Sequence, residues 1–284
     1  ERVLAFSDLP PEAALDLVQD KQLTAWPQSG SIKVDDLKVR YRSALPPSLS
    51  NVSFCIESGQ RVGVVGRTGS GKSTLVQALF RLLEAEEGSI SIDDVDLAGV
   101  GLHKVRNSIS VIPQTPVLFS GCTVRENLDP FHKYDDENIC EALSDVQMLH
   151  EINDLKHGLN STIAEGGSNF SVGQRQLLCL ARAILRKNKI LVLDEATANV
   201  DTRTDELLQH AVAKSFAGST IIAVAHRLDT VISYDRILVL GNGALLEYGS
   251  PRELLENENG HFSSMVNDTG KKMSAQLRQR AFQR

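Results

Sequence analysis

The sequence predicts an α/β protein in which an antiparallel β layer and a helical subdomain flank a parallel core. Three observations lead there. The apolar run Val62-Gly63-Val64-Val65 enters a glycine-rich loop and then the helical run Leu75–Leu83, giving the order strand, loop, helix. Two further segments, 189–193 and 221–225, are short, continuously apolar and partly β-branched, as strands buried on both faces are. Alternation of apolar and polar residues through 31–57 gives way to a 3.6-residue period between 123 and 187.

Each element follows from local pattern. Residues 1–30, with Pro10-Pro11 and Trp26-Pro27, read as a connector. Ile32, Val34, Leu37, Val39 and Tyr41 mark one strand and 49–57 a second, joined by the turn Ala44-Leu45-Pro46-Pro47. Gly88 is expected to end the helix after the glycine loop, before a short strand over 90–92, and 110–113 forms another strand leading to Gln114. Asp135-Asp136-Glu137 ahead of Ile139, Leu143 and Val146 is an acidic first turn before an apolar stripe. A helix from Ser171 aligns Leu177, Leu178, Ala181, Ile184 and Leu185 on one face. Near the end, 237–240, Gly241-Asn242-Gly243 and 244–248 form a hairpin, followed by short helices from Pro251 and His261. The domain spans 31–267, with the helical subdomain at about 120–187. Residues 268–284 form a basic tail in which 271–284 carries no acidic residue; it is expected to be solvated, with contact to a membrane surface or partner as the alternative.

Composition narrows the function classes. The 284 residues carry a net charge of −6, against a nucleic-acid partner held through phosphates. Cys55, Cys122, Cys140 and Cys179 stand apart without a C-x-x-C pair, so neither zinc nor redox chemistry is suggested. No apolar run approaches the length of a membrane span, and the chain taken alone is expected to be soluble.

The chemistry concentrates in Gly66-Arg67-Thr68-Gly69-Ser70-Gly71-Lys72-Ser73-Thr74, which fits the P-loop pattern G-x-x-x-x-G-K-[ST]. Gly66, Gly69 and Gly71 allow positive φ, so successive N–H groups can face an anion, and the loop feeds a helix N-terminus that carries partial positive charge. Lys72 adds a full charge near the β and γ phosphates, and the Ser73 hydroxyl can ligate Mg²⁺. Thr68, Ser70 and Thr74 complete this triphosphate cradle.

Other candidates stand at strand ends, where ligands of open α/β sheets bind. Asp194 can hold Mg²⁺ and Glu195 can take a proton from an attacking water. Gln114 can reach Mg²⁺ or the water through its amide oxygen, and His226 can donate to a γ phosphate; a purely structural histidine is the alternative. Ser171-Val172-Gly173-Gln174 is both a capping box and a helix-start anion site, readings that do not compete. Tyr41 either stacks on an adenine or is an alternating strand aromatic.

Taken in order, these motifs resemble the nucleotide-binding domain of ATP-binding-cassette (ABC) transporters from about Ser31 to Val266. In that family's terms Gly66–Thr74 resembles Walker A, Gln114 the Q-loop, Phe170-Ser171-Val172-Gly173-Gln174 the signature, Ile190–Glu195 Walker B with its catalytic glutamate, Ala198-Asn199-Val200-Asp201 the D-loop, and His226 the switch histidine. Tyr41 falls where the family places its adenine-stacking aromatic. Phe119-Ser120-Gly121, Leu128-Asp129-Pro130-Phe131 and Ser171 to Leu177 resemble subfamily C, the multidrug-resistance-associated proteins. Glu195 is similar to the second nucleotide-binding domain of that subfamily, and Glu1-Arg2-Val3-Leu4 resembles the exit from a last membrane helix.

The resemblance implies an ABC ATPase fold and a fragment of a longer exporter at the cytoplasmic face of a membrane. It implies a P-loop NTPase core that binds ATP and Mg²⁺. A first nucleotide-binding domain would pair with it head to tail, so that Ser171, Gly173, Gln174 and Asp201 complete a shared site. Membrane domains would engage the Q-loop and helical subdomain, and the work would be export of organic anions, conjugates or drugs. A gating or regulatory module of a subfamily C channel is the second reading. A soluble ABC ATPase of DNA repair or translation is disfavoured by the absence of a coiled-coil insertion, a second cassette and a basic face. Two departures stand out: Val172 replaces the second residue of S-G-G-Q, and Ala198-Asn199 replaces Ser-Ala in the D-loop.

Overall fold

The continuous apolar segments 62–65, 190–193 and 221–224 serve two cores at once. In the computed structural model, which describes residues 11–196, 200–225 and 227–283, they are β3 (Arg61–Val65), β7 (Ile190–Asp194) and β8 (Thr220–Val224), parallel neighbours in one sheet. Val62, Val64, Ile190, Val192, Ile222 and Val224 face one hydrophobic cluster; Val65, Leu191, Leu193, Ile221 and Ala223 face the other. Alternate side chains of a strand point to opposite faces, so the apolar positions of these strands have no solvent side. Each fully buried Val, Leu or Ile there contributes about 1.5–3 kcal/mol.

The first cluster lies beneath the antiparallel layer. Strands β1 (Ile32–Val39), β2 (Leu49–Ile56), β4 (Glu87–Ile92) and β5 (Val95–Asp96) form a sheet of order β2-β1-β4-β5. Strict alternation along β1 breaks at Asp35-Asp36, where Asp36 takes a φ of 44° and the register with both neighbours shifts. Helix α1 (Lys72–Leu79) packs Leu75, Val76 and Leu79 into the same cluster. It ends earlier than the sequence suggests: Phe80 is its C-cap, and Gly88, expected to stop it, instead lies within β4 with a φ of 78°. A Cβ there would fall 2.3 Å from the Asp35 carbonyl oxygen, so the glycine serves the close passage of two strands.

The parallel sheet has the order β10-β9-β3-β8-β7-β6, with β6 (Ile109–Ile112) at one edge and the hairpin β9 (Arg236–Gly241) and β10 (Ala244–Gly249) at the other. Helix α2 (Leu102–Ser108) leads into β6. On the second face lie α3 (Val124–Leu128), α4 (Asp136–Asp145), α5 (Leu149–Asn153) and α6 (Val172–Arg186), the helical subdomain, followed by α7 (Thr202–Ser215) and α8 (Leu228–Val231). Asp135 caps α4 through the Asn138 N–H, as its acidic start predicts. Gly63 admits α8 at close range: a Cβ would meet Val231 Cβ at 2.6 Å. The Tyr248 hydroxyl, donating to the Cys55 carbonyl at 2.5 Å, ties the hairpin to the antiparallel layer.

The C-terminal segment differs from its expectation as a solvated tail. After α9 (Pro251–Glu256) and α10 (His261–Asp268), residues Lys271–Phe282 form α11, with Leu277 and Ala281 buried against the body of the domain. Its sequence lacks acids but spaces Ser274, Leu277 and Ala281 at helical intervals, so one face packs while Lys271 and Lys272 stay exposed. Among the described residues, no helix is long and apolar enough to cross a membrane.

The connector is also more ordered than its composition implies. Trp26 Nε1 donates to the Ile92 carbonyl, and Asp93 accepts the backbone N–H groups of Gln28, Ser29, Gly30 and Ser31. Burial pushes the Asp93 carboxyl up, but the bonds from Ser29, Gly30 and Ser31 outweigh it and hold the group well below the usual carboxylate range. A folded-state value below the unfolded one stabilises the fold above about pH 4 and loses that effect as pH falls toward the folded value. Asp93→Ala is therefore expected to lower Tm by roughly 3–10 °C at pH 7. The gap to the wild type should close toward pH 2 in a Tm series against pH; a gap independent of pH would contradict the assignment.

Candidate active site

Strand register gathers the candidate residues. Val64 pairs with Val224, Val224 with Asp194, and Leu193 with Ile112, so the carboxyl ends of β3, β8, β7 and β6 finish at one level. From that edge leave the glycine loop, the segment after Ala225, Asp194-Glu195 and Pro113-Gln114.

The glycine loop is held from outside. Gly71, the N-cap of α1, has a φ of 105°, and a Cβ on it would lie 2.6 Å from Leu49 Cδ2 and 3.0 Å from the Ser48 carbonyl. The Gly243 N–H, from the β9–β10 turn, donates to the Ser70 carbonyl at 3.2 Å. Sequence reading missed this support, because nothing in a hairpin turn signals what it packs against. No side chain caps α1, so its first N–H groups are open to an anion, and the buried Ser70 hydroxyl has no hydrogen-bond partner among the described residues. Gly69 has a φ of 79°, Thr68 and Ser73 are exposed, and Thr74 is buried. These features fit a phosphate group.

Lys72 spans the loop, its Nζ donating to the Gly66 carbonyl at 2.9 Å and the Arg67 carbonyl at 3.3 Å. Burial lowers its pKa, while the charges of Glu195 and Asp194 pull it back up. Glu195 takes a φ of 50°, unusual for its type, as the chain turns out of β7, and its N–H donates to the Val224 carbonyl at 3.1 Å. Gln114 Nε2 donates to Glu195 Oε2 at 2.6 Å. The expectation had the Gln114 amide oxygen facing the site; the amide nitrogen binds the glutamate, which leaves that oxygen as the group's acceptor. Ser73 is exposed and Asp194 ends β7, and both carry hard oxygen donors of the type Mg²⁺ takes.

Tyr41 is not a strand aromatic, since β1 ends at Val39. It is about half exposed, and its hydroxyl lies 3.3 Å from Thr74 Oγ1 on α1, beside the glycine loop. His226 lies outside the described residues, as do Ala198, Asn199 and the segment 1–10. The neighbours of His226 are anchored: the Ala225 N–H donates to the Val64 carbonyl, and Arg227 pairs with Asp229 at 2.8 Å and Asp205 at 3.6 Å.

A second group stands apart. Ser171 caps α6, its hydroxyl accepting the Gln174 N–H at 3.1 Å while Gln174 Oε1 accepts the Ser171 N–H at 2.9 Å, so the capping box is present. Gly173 abuts Thr204, whose Oγ1 would lie 2.8 Å from an added Cβ. Thr204 in turn donates to Asp201, the cap of α7, at 2.7 Å, which lowers the Asp201 pKa. Thr204 was not foreseen; its only signal is its place three residues after the capping Asp201. No hydrogen bond among the described residues joins this group to the loop 66–74.

Comparisons with known proteins point one way. The profile of the family described as ABC transporter matches residues 49–198, more than half of the chain. Human ATP-binding cassette sub-family C member 4 is 49% identical over 283 residues, which is 100% of this chain and 21% of that protein. Rat ATP-binding cassette sub-family C member 2 is 49% identical over 95% of this chain and 17% of its own length. The chain thus spans about a fifth of the length of the relatives it matches. Among solved structures, a bacterial Atm1-family ABC exporter with ATP bound superimposes with a TM-score of 0.79 at 30% identity, over 93% of this chain and 44% of that one.

Gly71→Ala forces a side chain into left-handed backbone against Ser48 and Leu49. It is expected to weaken binding of a fluorescent ATP analogue by at least about tenfold in equilibrium titration. Unchanged affinity would mean that the loop does not hold the phosphates.

Proposed function

The chain belongs to the ABC transporter family, a family of ATPases, and from that premise we propose that it binds MgATP at the carboxyl edge of the parallel sheet and hydrolyses it within a longer exporter. The observation that carries this reading is the 2.6 Å hydrogen bond between Gln114 and Glu195, at the ends of neighbouring strands and beside Lys72.

In this reading the loop from Gly66 to Thr74 wraps the phosphates with backbone N–H groups, Thr68, Gly69, Ser70 and Gly71 among them. Lys72 exchanges the Gly66 and Arg67 carbonyls for phosphate oxygens. Ser73, Asp194 and Gln114 hold Mg²⁺, which when bound neutralises charge on the β and γ phosphates. Tyr41 stacks on the adenine. Glu195 accepts a proton from the attacking water, which adds to the γ phosphorus as the bond to the β-phosphate oxygen breaks, leaving ADP and phosphate. His226 donates a hydrogen bond to the γ phosphate.

Ser171, Gly173, Gln174 and Asp201 serve a second ATP, shared with another nucleotide-binding domain paired head to tail. The lack of a hydrogen bond between them and the glycine loop among the described residues supports this division. Membrane domains dock near the Q-loop, where Val111, Val117 and Phe119 are exposed hydrophobic residues. These side chains offer apolar area to a docking partner. The whole protein then works at the cytoplasmic face of a membrane, and the subfamily C relatives support export of organic anions, conjugates or drugs.

The test is ATPase rate per mole of chain against protein concentration, alone and with a second nucleotide-binding domain. A rate that rises with the partner is expected; full turnover independent of concentration would remove the shared-site role of Ser171. Glu195→Gln should retain ATP binding and lose roughly 100-fold or more in kcat; unchanged kcat would remove Glu195 as the base.

A further inference from the structure

Within the first turns of α6, on its buried side, sits Gln176, only 1% exposed. Its Nε2 donates to the Pro113 carbonyl at 2.9 Å, while its Oε1 has no hydrogen-bond partner among the described residues. A leucine or methionine here would remove the unmatched Oε1 acceptor but would take the donor away from the Pro113 carbonyl. The buried glutamine carries one unmatched acceptor, and its amide makes one hydrogen bond, to the residue before Gln114.

That bond closes a continuous path. Gln176 holds Pro113, Pro113 is bonded covalently to Gln114, and Gln114 Nε2 holds Glu195 Oε2 at 2.6 Å. The peptide bond between them is planar, so a displacement of the Pro113 carbonyl carries the Gln114 nitrogen with it. At the other end of the path, the same helix begins at Ser171, and Gly173, one turn before Gln176, packs on Thr204 at the start of α7. A helix translates as a rigid rod over two turns, so whatever shifts Ser171 shifts Gln176.

We propose that Gln176 is a positioning residue that ties the seat of α6 to Gln114, and through it to the orientation of the Glu195 carboxylate, so that the base responds to what is bound at Ser171. This rests on the reading of Glu195 as general base. No proton moves and no bond is broken along the path; it acts by displacement alone.

The test uses Gln176→Met, similar in length and unable to donate, with Gln114→Ala, the double variant, and Glu195→Gln. In ¹⁵N-labelled chain the Gln114 side-chain amide is identified by its loss in Gln114→Ala. Expected in Gln176→Met are a shifted or broadened Gln114 amide, an unlowered Tm, and a kcat reduced roughly 3–10-fold with the ATP KM within about twofold. In the Gln114→Ala background the same substitution should add nothing, because both act through one path. An unmoved Gln114 amide, or a full additional loss of kcat in that background, overturns the proposal. Gln176→Leu, read the same way, covers disturbance of packing by methionine; a lowered Tm in both with the Gln114 amide unmoved marks a merely structural residue and also overturns it. If Glu195→Gln turns over ATP normally, the base assignment fails whatever Gln176 does. If Glu195→Gln is inactive and the Gln114 amide stays put in Gln176→Met, only the coupling fails.

Discussion

Everything in the site hangs on the register of four parallel strands whose two faces are both buried. Because Val64, Val224, Asp194 and Ile112 finish at one level, four loops meet although the residues that leave them are far apart in sequence. A slip of one residue in β7 would send Leu191 and Leu193 to the face meant for Ile190 and Val192 and would carry Asp194 away from Lys72. The apolar packing of the sheet is therefore also what sets the distances between charged groups.

The charges at that edge are arranged to be incomplete within the protein. Lys72 leans on loop carbonyls while the charges of Asp194 and Glu195 act on it, the α1 N-terminus has no side-chain cap, and the Ser70 hydroxyl is buried. Each is a donor or cation in the glycine loop, and the carboxylate charges oppose the lowering of the Lys72 pKa by burial. The glycine loop keeps this geometry because Leu49, Ser48 and Gly243, drawn from the antiparallel layer and the terminal hairpin, press on it from outside.

The legible parts of the protein were those with local causes. The P-loop pattern, the capping box at Ser171, the acidic start of α4 and the hairpin at Gly241-Asn242-Gly243 each rest on interactions among residues a few positions apart. Errors arose where a distant contact decided. Gly88 looked like a helix stop but serves the crossing of β4 past Asp35 and Asp36. The basic terminal segment looked solvated, yet Leu277 and Ala281 find a surface made by elements outside it. Tyr41 looked like part of β1 because alternation continued to it, whereas the strand stops at Val39 and the ring sits beside α1.

By itself the sequence determined the class of the fold, the glycine loop between β3 and α1 and the placing of the acidic pair at the end of β7, because strand–loop–helix order, glycine conformational freedom and short-range hydrogen bonds are encoded in adjacent residues. Tertiary structure alone decided that Gln114 points its amide nitrogen at Glu195, that Gln176 reaches Pro113 across 63 positions, and that Gly173 makes room for Thr204. Side-chain partners of that kind depend on packing between elements, and a sequence pattern carries no distance between residues that only the folded sheet brings together.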